Sequence, residues 1–249
     1  MIFPSFASVK KLAKEFNRIP VYRELNLSEV GFLSVMKALS ERGDIIFLES
    51  ALKKRKWSRF SFLGFNPRRT IEYTAKGVFE LKDGHSSLIS PDLFGFLKEE
   101  VRAHHSPTFP AFGDFTGGLA GFFSYELVNY CGILRRPVKE SGDTPLALLL
   151  QIDDFIVFDN VKKKYYIATQ LYTSGDTLLT ERYRAALSRL EMLEYSILDI
   201  VRGTSLPFLP LRPDEVSLCY HETKEVYLEK VQRAKKLIES GEAIQAVLS

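Results

Sequence analysis

Residues 47–64 read FLESALKKRKWSRFSFLG. An apolar run ends on Glu49 and Ser50, and a second one, Phe60-Ser61-Phe62-Leu63, begins just after Arg59. Between them lies a polar connection that contains Lys53-Lys54-Arg55-Lys56. Two short apolar runs with a polar link between them read as neighbouring antiparallel strands. In that arrangement Glu49, Ser50 and Arg59 stand near one end of the sheet. A carboxylate can accept an ammonium, a hydroxyl can donate or accept, and an arginine can clamp a carboxylate with two hydrogen bonds. Such a set suits a free amino acid. Taken on spacing alone, a surface Glu–Arg pair beside a loop is the simpler reading.

The same strand grammar recurs along the chain. RTIEYTA and VFELKD, joined near Lys76-Gly77, read as a hairpin, and so do DDFIVFDN and KKYYIAT. GGLAGFFSYE and LALLLQI read as further strands. Ser28 to Arg42 reads as a helix capped by Ser28 and closed at Gly43. A second helix starts at Ser90-Pro91, with the serine as cap. The strongest helical period runs from Thr177 to Leu198, through Leu179, Tyr183, Leu187, Leu190, Leu193 and Ile197. Residues 202–216, RGTSLPFLPLRPDEV, read as a proline-rich linker. Beyond it a helix capped by Thr223 leads to AIQAVLS, which reads as a strand. The expected fold is α+β: mainly antiparallel sheet with covering helices over residues 1–201, a linker at 202–216, and the incomplete start of a second domain at 217–249.

Composition narrows the function classes. The chain has 249 residues, 45% of them hydrophobic, and a net charge of +3. A dedicated nucleic-acid binder usually carries a strong basic excess, so no nucleic-acid partner is expected. The basic cluster with Trp57 reads as a solvated loop tip, although a single-strand-binding module remains the reading from another class. Cys131 and Cys219 are far apart and unpatterned, as expected of free thiols in a reducing compartment. No apolar stretch approaches the roughly 18 residues of a membrane span. The expected location is cytoplasmic.

Other candidates are weaker. His104-His105 lack an acidic or cysteine neighbour for a metal. Asp153-Asp154 could hold Mg²⁺ but read more simply as turn and edge polarity. His221 reads as a polar residue before a helix. Gly117-Gly118 precede a strand, not a helix, and read as close packing or a bulge.

Three stretches in order carry a resemblance: FLESA with SRFSFLG, then GGLAGFFSYELVNY, then YLEKVQRAKKLIESGEAIQAVLS. Together with DDFIVFDN they resemble the N-terminal part of anthranilate synthase component I. Aminodeoxychorismate synthase component I shares much of the pattern. The resemblance implies an enzyme that converts chorismate and ammonia to anthranilate and pyruvate with Mg²⁺. It also implies ammonia supplied by a glutamine amidotransferase subunit, component II, and feedback inhibition by tryptophan. It puts the effector site at Leu48, Glu49 and Ser50, with Phe47 in place of the usual first leucine and Arg59 lining the same pocket. The family's metal-binding glutamates and its catalytic histidine lie beyond Ser249. The expectation is therefore a regulatory half-site, no catalytic or metal-binding residue in this chain, and no anthranilate synthesis by the chain alone.

Overall fold

The computed structural model describes residues 1–27, 31–49, 59–132, 145–175, 177–203 and 222–248. The chain divides into two compact units, Met1–Leu206 and Pro207–Ser249.

The first unit opens with β1 (Ile2–Phe3), α1 (Phe6–Leu12), β2 (Arg18–Leu25), α2 (Phe32–Ser40), β3 (Ile45–Leu48) and β4 (Phe60–Phe65). It continues with β5 (Thr70–Thr74), β6 (Gly77–Lys82), β7 (His85–Ser90), α3 (Leu93–Ala103) and β8 (Gly118–Phe123). It closes with β9 (Ala147–Ile152), β10 (Asp154–Asp159), β11 (Lys164–Tyr172) and α4 (Leu179–Gly203).

Two antiparallel sheets result. One has the order β1-β2-β11-β10-β4-β3, the other β7-β6-β5-β9-β8. Alternation assigns the faces. On β10, Ile156 and Phe158 join the core under α2 and α4, while Phe155 and Val157 join a second core with Ile152 and Leu150 of β9. That second core lies between the sheets. Gly64 of β4 makes the close approach possible, because a Cβ there would stand 2.6 Å from Ile152. The far face of the five-stranded sheet is covered by α3 through Leu93, Phe96 and Leu97.

The long helix follows its period. Ala186, Leu190, Leu193, Ile197 and Ile200 of α4 are buried against the six-stranded sheet. A side-chain lock adds to this packing. Asp154, fully buried at the start of β10, accepts from Arg189 Nε at 3.0 Å, from Arg189 Nη2 and from the Thr169 hydroxyl at 2.7 Å. Asp154 is thus an internal ionic anchor, where the sequence suggested turn and edge polarity. A carboxylate is retained at a buried position only when charge and hydrogen bonds answer it.

Several boundaries differ from expectation. Gly31, without a side-chain bond, caps α2, and Ser28 lies outside the described residues. Asp92, not Ser90, caps α3, accepting from the N–H groups of Phe94 and Gly95. A carboxylate answers two orphan amides at once, and the Ser90 hydroxyl instead bonds to the backbone of Asp92. The RTIEYTA–VFELKD hairpin has a third strand, β7, after the turn at Asp83-Gly84. The loop HHSPTFPAFGDF supplies a core residue, Phe112, at 0% exposure.

In the second unit α5 (Lys224–Glu239) starts at Thr223, whose hydroxyl accepts from the Val226 N–H. The expected strand at AIQAVLS does not form over its described residues, and Ile244 and Val247 are exposed. A strand needs a neighbour to satisfy its backbone, and none lies beside it among the described residues of this unit.

Replacing Asp154 with alanine should destabilise the first unit by about 2–3 kcal/mol in urea unfolding, near the lower end for breaking a buried pair because Arg189 reaches solvent. An unchanged midpoint would contradict the anchor.

Candidate effector-binding site

Leu48 ends β3 at the edge of the six-stranded sheet, opposite Phe62 of β4, and is half exposed. Glu49 follows it and is exposed. Ser50 and the basic segment Lys53 to Trp57 lie outside the described residues, as do Cys219 and His221. Arg59 stands one residue before β4.

The guanidinium of Arg59 has a definite partner, Asp159, and not Glu49. Its Nε and Nη2 both donate to Asp159 Oδ2, at 3.0 and 2.6 Å. The other oxygen, Oδ1, accepts from the N–H groups of Val161 and Lys162, each at 3.0 Å. The adjacent Asn160 donates its backbone N–H to the Arg59 carbonyl at 2.7 Å and its side-chain amide to Ser61 Oγ at 3.0 Å. The turn after β10 therefore grips the start of β4 through four hydrogen bonds. Arg59 also lies over the Phe60 ring, 4.7 Å from its centroid.

These contacts set the charges. Burial opposes ionisation of Asp159, but the Arg59 hydrogen bond and the amides of Lys162 and Val161 outweigh it and hold the carboxyl below the usual range. The same Asp159 hydrogen bond raises Arg59 against the opposing effect of burial. The DDFIVFDN motif had marked Asp159 as part of a strand pair, but nothing in strand periodicity distinguishes a terminal aspartate that holds an arginine a hundred residues earlier.

A cleft of about 730 Å³ runs along β8 and includes Leu48 among its lining residues. Its other walls come from α3, from Phe115 to Gly118 and from Arg18 of β2. Glu100 in this wall accepts from Arg69 Nη2 at 2.5 Å and lies 3.2 Å from His104 Nδ1. His104 Nδ1 also lies 2.9 Å from the Glu100 carbonyl oxygen. Among the described residues no group of three His, Cys, Asp or Glu side chains could hold a metal ion. Gly117 and Gly118 serve close packing, as their positions suggested. Both have positive φ, and a Cβ on Gly117 would stand 2.7 Å from the Ile152 carbonyl.

Residues 44–249 match the family of chorismate binding enzymes, a span that begins at the residue before β3. The chain belongs to this family. Among its curated relatives is anthranilate synthase component 1 of Acetivibrio thermocellus, 26% identical over 253 residues, which cover 100% of this chain and 51% of that protein. The same enzyme component from Saccharomyces cerevisiae is 29% identical, over 100% of this chain and 49% of that protein. That of Aquifex aeolicus is 28% identical, over 98% and 49%. The chain spans about half the length of these relatives. Among solved structures, anthranilate synthase component I of Streptococcus pneumoniae aligns at 22% identity with a TM-score of 0.46, over 88% of this chain and 45% of that one.

The lowered Asp159 pKa has a signed consequence. Its stabilisation is complete above the unfolded value near about pH 4 and is lost as pH falls through the lower folded value. Asp159→Asn should therefore be less stable than the parent at neutral pH, with the gap narrowing at about pH 3 in urea unfolding. A gap of equal size at both pH values would contradict the Arg59–Asp159 clip.

Proposed function

We propose that this chain is the regulatory portion of an anthranilate synthase component I and carries half of a tryptophan effector site. The observation that supports it most is the run of anthranilate synthase component 1 relatives aligned over nearly the whole chain. The whole protein would aminate chorismate with ammonia and eliminate the enolpyruvyl group, giving anthranilate, pyruvate and water. A glutamine amidotransferase subunit would deliver the ammonia. Mg²⁺ would serve that reaction, and among the described residues of this chain no cluster is suited to hold it.

The effector reading rests on Leu48, Glu49, Ser50 and Arg59. Leu48 offers apolar contact from the sheet edge. Glu49, exposed beside it, can receive an ammonium, and Ser50, the next residue in the sequence, brings a hydroxyl that can donate or accept. Arg59 enters this scheme with Nε and Nη2 already on Asp159, so Nη1 is the nitrogen left for an effector carboxylate. Its more evident part is to hold the start of β4 beside the site. Inhibition then requires tryptophan to favour an inactive state of the enzyme, since only differential affinity shifts an equilibrium.

In the complete enzyme, Ser50→Phe should relieve tryptophan inhibition and leave uninhibited turnover largely intact. Unchanged sensitivity would overturn the effector site. Product analysis tests the reaction itself: an ortho-aminated benzoate is expected, and a para-directed product would overturn the anthranilate assignment in favour of aminodeoxychorismate.

A further inference from the structure

Arg18, at the start of β2, is 97% buried by residue, with 3% of its surface exposed. Its Nε and Nη1 are sealed from solvent and donate to nothing. Among the described residues its side chain takes part in no ion pair. Arginine cannot shed its proton, so a buried guanidinium without a counter-ion is a standing cost to the fold. The other internal arginines of this unit are answered: Arg59 by Asp159, Arg69 by Glu100 and Arg23 by Glu194.

The surroundings of Arg18 point to a ligand. Arg18 lines the cleft of about 730 Å³ along β8. Gly118 packs close against the guanidinium without a side chain in the way, since a Cβ there would stand 3.3 Å from Arg18 Nη2. Ser106, whose buried hydroxyl also has no partner, lines the same cleft. Strand β2 begins against this loop, because the N–H of Arg18 donates to the His105 carbonyl at 3.2 Å. Glu100 is the acidic residue among the described lining residues, and Arg69 already pairs with it. Much of the remaining wall is apolar, from Leu97, Phe115, Leu119 and Phe123.

We propose that this cleft is a carboxylate-binding site, anchored by Arg18 with Ser106 as a second donor, for a small monocarboxylate with an apolar body. The carboxylate supplies the missing counter-charge, accepting from the guanidinium fork and the hydroxyl. The apolar body lies against the leucine and phenylalanine wall. The inference stands on Arg18 and its cleft and does not depend on the tryptophan reading.

The test uses benzoate as probe and benzamide as its uncharged counterpart. Each is titrated into the intact protein while the amide resonances of Gly117 and Gly118 are followed. Benzoate should shift them saturably, and benzamide should bind at least about tenfold more weakly. Arg18→Gln should lose about tenfold or more in benzoate affinity, and Arg18→Lys should fall between the two. The unfolding midpoint of Arg18→Gln should stay level or rise, because an unanswered buried cation has been removed. A purely structural arginine would instead lower it. No saturable shift with benzoate, equal binding of benzamide, or full affinity in Arg18→Gln would overturn the proposal.

Discussion

Strand β10 is the constraint on which the first unit turns. It is hydrogen-bonded on both sides, to β4 and β11, and nearly all of it is buried. Each end carries an aspartate whose charge is enclosed. Asp154 at one end is answered by Arg189 of α4, and Asp159 at the other by Arg59 at the entry to β4. Between them the side chains alternate between two cores. A shift of one residue would exchange those cores and bury both carboxylates without their arginines. Register, helix docking and the start of β4 are therefore fixed by one six-residue strand.

This constraint explains what the sheet edge can offer. β3 pairs only with β4, so its end at Leu48 and Glu49 is positioned by whatever fixes β4. The Asp159–Asn160 turn does so through Arg59 and Ser61. The polar groups near the start of β4 are thus engaged in building the platform, while Glu49 is exposed. Arg18 is the contrast: an arginine with the burial of a platform residue and no partner to match. The two arginines differ in chemistry although both flank strands of one sheet.

Much of the fold was legible in the sequence. The strand pairs DDFIVFDN–KKYYIAT and RTIEYTA–VFELKD, and the helix through Leu190 and Ile197, follow from periodicity because period directly reflects which face is buried. Helix starts were less legible. Ser90 and Asp92 are both good caps two residues apart, and only local geometry decides between them. The strand expected at AIQAVLS shows the limit of periodicity, since pattern cannot report whether a partner strand is present. For the site, spacing singles out Glu49, Ser50 and Arg59 and motif resemblance adds Leu48 and the effector role, whereas Asp159 and Arg18 are not singled out. The first is joined to Arg59 across a hundred residues, and the second is conspicuous only because no carboxylate among the described residues pairs with it. Both are facts of tertiary placement.

We propose that the end of β3 receives the ammonium of tryptophan at Glu49. It is tested most directly by calorimetric titration of L-tryptophan into the complete enzyme and its Glu49→Ala variant. The account predicts saturable binding to the parent, weakened at least about tenfold in the variant by loss of a charge-assisted contact. Undiminished affinity in Glu49→Ala, or no binding to the parent, would contradict it.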